Sequence, residues 1–68
     1  MMRTRFIVRK FNSPLRFPQG KPVEQVPSDG EATGFESREE AIDELRKRRM
    51  GHKGIAIVEV PAETVNHE

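Results

Sequence analysis

Residues 36–60 read ESREEAIDELRKRRMGHKGIAIVEV, and the two halves of that stretch follow different periodicities. Ser37 is a good N-cap, and Glu40, three residues on, completes a capping box. Ala41, Ile42 and Leu45 then form a narrow apolar stripe at helical spacing. Acids lie early and bases late, as the helix dipole prefers, and Gly51 follows Met50 as a natural stop. A helix is predicted over residues 38–50. Asp43 with Lys47, and Glu44 with Arg48, sit at the i,i+4 spacing in the favourable order. From Gly54 to Val60 the pattern changes to GIAIVEV, apolar on both faces apart from Glu59. That is the signature of a strand with neighbours beside it or a helix across it, and Pro61 ends it.

A helix followed by a two-faced strand needs further strands to cover it. Thr4–Phe11, TRFIVRKF, supplies one, with Phe6 and Val8 on one face and Ile7 and Phe11 on the other. Pro14, Pro18, Pro22 and Pro27 exclude helix from the stretch that follows. Within it PSDG marks a turn, so Pro22–Val26 and Glu31–Phe35 are expected to form a short hairpin. The fold class is therefore α+β: a small mixed sheet of three or four strands in β-β-β-α-β order, with the helix packed on one face. One domain over residues 1–61 and a flexible tail over 62–68 are expected. If the strands alternate in direction and the helix crosses back, the last strand runs parallel to the first. Arg3 and Arg5 would then lie near His52, Lys53 and the run Arg46–Arg49. This arrangement resembles the β-grasp fold in topology, since that fold also sets its first strand beside the strand after the helix. The likeness implies nothing about function.

Sixty-eight residues make one domain with a small core. The absence of cysteine removes disulfides, thiol nucleophiles and Cys-type zinc sites, and it fits a reducing compartment. No apolar run reaches membrane-spanning length, so a cytoplasmic protein with no membrane partner is the expectation. Net charge is only +1, yet its distribution is uneven. Residues 1–21 hold six bases and no acid, residues 22–44 are acidic, and the sign reverses again from Arg46 to Lys53. One basic and one acidic side are expected.

No catalytic, cofactor or metal constellation stands out. His52 and His67 lack second ligands at a metal spacing, each serine is explained by a turn or a cap, and the helix carboxylates form a solvated face. An enzyme is not expected. Gly51-His52-Lys53-Gly54 has the form of the GxxG loop of KH domains, but it leads into a strand rather than a second helix, which argues against that family.

Two binding surfaces remain. Phe11, Leu15, Arg16 and Phe17 form an aromatic and basic segment suited to docking on a larger protein, unless these side chains fold back to enlarge the core. Arg3, Arg5, Arg46, Lys47, Arg48, Arg49 and Lys53 form a candidate phosphate site, weighed against a plain solvated helix end. The favoured reading is a small non-enzymatic regulator or inhibitor that acts by occupying a larger protein partner. Phage and mobile-element modulators of host machinery are of this kind, although no residue here identifies them. The alternative is a nucleic-acid-binding module that uses the basic helix end and the N-terminal strand. An exposed edge strand would also allow a homodimer.

Overall fold

The computed structural model describes residues 3–65. It is an α+β fold in which one helix, α1 (Arg38–Lys47), packs on a four-stranded sheet. The strands are β1 (Thr4–Lys10), β2 (Ser13–Arg16), β3 (Glu24–Gln25) and β4 (Ile55–Pro61), in the spatial order β3-β2-β1-β4. The β-β-β-α-β element order is the one expected. The sheet, however, is antiparallel throughout rather than mixed.

The direction of β4 turns on Phe11 and Asn12. These two residues join Lys10 to Ser13, both at positive φ (49° and 69°), as a two-residue type I′ hairpin turn requires. Ser13–Arg16, outside the expected strands, is thereby a strand that runs back along β1. The turn adds one reversal of chain direction, so every later element is inverted. β4 consequently pairs with β1 antiparallel, from Lys10 opposite Ile55 to Thr4 opposite Pro61, and the β-grasp likeness fails.

The expected hairpin of Pro22–Val26 with Glu31–Phe35 does not form. Glu24–Gln25 pairs with β2 instead, and Asp29–Glu31 make a 3-10 turn. Phe35 exchanges two backbone hydrogen bonds with Phe6 (2.8 and 2.9 Å), extending the sheet where the short β2 no longer reaches.

Residues 7 and 8 are both fully buried, which an alternating half-buried strand would not allow. Burial has two causes because the sheet is covered on both faces. On the helix face Val8, Leu15, Phe17, Ala41 and Leu45 pack together, with Phe35, Ile55 and Ile57 against them. On the other face Ile7, Val60, Ala32 and Val65 form a second layer. Residues 62–65 therefore belong to the packed structure. Ala62–Thr64 make a 3-10 turn that sets Val65, only 4% exposed, into this layer. The packed region thus runs past the expected boundary at residue 61, and residues 66–68 of the expected tail lie outside the described residues.

Helix α1 begins as its sequence predicts. The Ser37 Oγ accepts from the Glu40 N–H (3.1 Å), while the Glu40 carboxylate reaches back to the Glu36 N–H (3.1 Å). It ends three residues earlier than expected. Arg49 adopts φ 55°, and the N–H groups of Arg49 and Met50 donate to the carbonyls of Arg46 and Leu45 (both 3.0 Å). This is a Schellman motif with arginine in the left-handed position, so Gly51 plays no part in the stop. Among the described residues no helix is long and apolar enough to cross a membrane.

Candidate functional site

The hairpin turn, the end of α1 and the start of β4 meet at one end of the molecule. The Phe11 N–H donates to the Gly54 carbonyl (2.8 Å). The Phe11 ring lies flat enough against Gly54 that a Cβ there would stand 2.5–2.7 Å from three ring carbons. Gly54 is thus required twice, for its φ of 75° and for the absence of a side chain under the ring. The ring's other side is open: Phe11 is 65% exposed and is the one large exposed hydrophobic among the described residues. A bulky side chain at positive φ is an uncommon choice for a turn that asparagine or glycine would make without strain. Lys10 stands opposite Ile55, and Lys53 immediately precedes Gly54, so two bases lie close to the turn along the backbone.

Of the basic helix end, Arg46, Lys47 and Arg49 are exposed or partly so. Arg48 has a different role. Its Nε donates to the Glu44 carboxylate (2.6 Å), and its two terminal nitrogens donate to the carbonyls of Lys21 (2.6 Å) and Pro18 (2.7 Å). Those carbonyls flank a turn closed by the Lys21 N–H on the Pro18 carbonyl, with Gly20 at φ 73°. The guanidinium also sits 5.4 Å from the Phe17 ring centroid. Arg48 therefore clamps the 18–21 turn to the helix through three of its N–H donors. The Glu44–Arg48 pair forms as the spacing predicts, whereas among the described residues no ion pair joins Asp43 to Lys47.

The expected composite cationic patch is divided by the antiparallel sheet. Arg5 lies opposite Val60, at the far end of β4 from Lys53, and its guanidinium is 3.6 Å from the Glu36 carboxylate. The carbonyl of Arg3 accepts from the Ala62 N–H at that same far end. Lys10 and Phe11 occupy the place by Lys53 that the parallel arrangement would have given to Arg3 and Arg5.

The aromatic segment is divided too. Leu15 (2% exposed) and Phe17 (8% exposed) belong to the helix-face core, where Phe17 meets Phe35 edge to face at 5.6 Å. They fold back to enlarge the core and are not available to a docking partner, which leaves Phe11 and Arg16 on the outside. Arg16 stands 3.8 Å from Glu24. The first turn of α1 carries Glu39 and Glu40 and its last turn Arg46 and Lys47, all exposed.

Neither Lys10 nor the backing role of Gly54 is anticipated by the sequence pattern. A signal does exist in FNSP, where Asn12 tolerates positive φ and Pro14 marks an interrupted strand. His67 lies outside the described residues. No group of three or more histidine or acidic side chains among the described residues is disposed to hold a metal ion. Comparisons with protein-family models, curated proteins and solved structures return no match.

Proposed function

We propose that this protein is a small non-catalytic regulator that acts by occupying a larger protein partner through the end of the molecule centred on Phe11. The observation that carries this reading is the exposed Phe11 ring, held in the left-handed region and backed by Gly54. The conformation costs about 1 kcal/mol or more relative to glycine at the same position. An exposed aromatic with bases nearby along the chain suits an interface anchor. Lys10 and Lys53, close to the turn along the backbone, suit an acidic surface on that partner.

The two nearby lysines support a second reading, single-stranded nucleic acid stacked on Phe11 with phosphates on Lys10 and Lys53. One experiment separates the two. A photo-crosslinking phenylalanine analogue at position 11, activated in cells, labels whatever contacts the ring. A discrete protein adduct that Lys53→Glu removes supports the protein partner. A nucleic-acid adduct transfers the assignment to the second reading, and the absence of either adduct overturns both.

A further inference from the structure

Among the described residues, β4 is a terminal strand of the sheet, bonded to β1 alone. Which of its backbone groups are free follows from the register. Phe6 directs its N–H and carbonyl to Phe35, so Glu59, opposite Phe6, is not hydrogen-bonded to it. By alternation Ala56, Val58 and Val60 bond inward to β1, while Ile55, Ile57 and Glu59 direct their backbone groups outward. The Ile55 N–H is already satisfied by the His52 carbonyl (3.2 Å). Among the described residues, the N–H groups of Ile57 and Glu59 and the carbonyls of Ile55, Ile57 and Glu59 are thus left on an open edge.

That edge lacks the usual protection against pairing. Ile55-Ala56-Ile57-Val58 carries no charge on either face, and only Glu59 and Pro61, towards its end, blunt it. Beside it, α1 leaves the helix face of β4 partly uncovered. An open groove of about 470 Å³ runs between them, floored by Ile42, Leu45, Met50, Ile55 and Ile57 and rimmed by Arg38, Arg46 and His52.

We infer that a second copy of this chain covers this edge, the two β4 strands pairing antiparallel about a two-fold axis at Ile57. In that register Ile57 faces Ile57 of the second copy, and Ile55 faces Glu59. The Ile57 N–H groups bond each other's Ile57 carbonyl, and each Glu59 N–H bonds the other copy's Ile55 carbonyl. Every free edge N–H in the 55–59 stretch acquires an acceptor. An axis normal to the sheet keeps both helices on one side, so the two grooves merge over the paired Ile57 side chains. On the opposite face Val58 meets Ala56. Charge selects this register over its neighbours. It carries Glu59, the strand's one acid, to the Ile55 end of the other groove, where Arg46 and His52 stand. The surface is separate from Phe11, so this inference does not rest on the proposed function.

The test is the mass of the full chain by sedimentation equilibrium over a micromolar-to-millimolar range at low salt. A dimer is expected, with a dissociation constant weakened at least about tenfold by Glu59→Lys or by Arg46→Glu, since each sets like charges together. Combining the two substitutions restores the pairing, because the reversed charges attract each other again across the interface. Ala56→Lys on the opposite face also weakens it. Glu59 and Arg46 are exposed, so these variants keep the fold, and far-UV circular dichroism checks that they do. A monomer throughout the range overturns the inference, as does a dimer indifferent to the charge reversals.

Discussion

Arg49 ends α1 at φ 55°, a conformation in which an L side chain crowds its own carbonyl. Glycine has no such conflict, so Arg49→Gly is expected to stabilise the protein by about 1 kcal/mol. Urea denaturation followed by far-UV circular dichroism measures it, the chain having no tryptophan or tyrosine to report by fluorescence. Gly54 is the opposite case. Gly54→Ala is expected to cost about 2 kcal/mol, through its positive φ and through collision with the Phe11 ring. Adding Phe11→Ala removes the collision and leaves the backbone cost, so the double variant should recover part of the loss. Strict additivity in that cycle would mean that the ring does not rest on Gly54.

At the scale of elements, α1 is held at its two ends by different means. Its start is local, closed by Ser37 and Glu40 within one turn of chain. Its end is tied across the sequence by Arg48, which reaches carbonyls 27 and 30 residues away. Arg48→Met keeps an apolar stem against Phe17 but removes all three hydrogen bonds, at an expected cost of about 2 kcal/mol. Arg48→Lys should recover less than half of it, because a single ammonium cannot span two carbonyls and a carboxylate as a planar fork does. Thermal melts give the stability, and limited proteolysis at Lys21 reports whether the 18–21 turn has come loose.

Across the whole molecule, the sheet is closed by layers on both faces, and the second layer depends on the last described residues. Val65 packs with Ile7, Ala32 and Val60, so truncation after Pro61 opens that layer. A loss of about 2 kcal/mol is expected, in line with burying one valine side chain. An unchanged denaturation midpoint would return the segment to the status of a tail. The charge distribution is also a property of the assembled molecule. Reversing β4 relative to β1 moves Arg3 and Arg5 to the end occupied by Glu36 and puts Lys10 beside Lys53.

Features that depend on neighbours along the chain are legible in the amino-acid order itself. The capping box of α1, the Ala41–Leu45 stripe, the Glu44–Arg48 pair and the two-faced apolar character of β4 each involve residues a few positions apart, and each stands where the pattern puts it. The direction of β4 is of another kind. It depends on the number of chain reversals that precede it, so the single turn at Phe11–Asn12 inverts the outcome and with it the composition of the cationic end. The separation of Phe11 from Leu15 and Phe17 has the same origin. All three share one basic, proline-broken segment, and only the FNSP turn signal sets Phe11 apart from the other two. Only the turn that leaves Phe11 at the tip, the return of β2 along β1 and the clamp of Arg48 over Phe17 send two of them inward and one out. Short-range hydrogen bonding and periodicity act within a few residues, whereas strand direction and burial are settled by contacts that close over tens of residues.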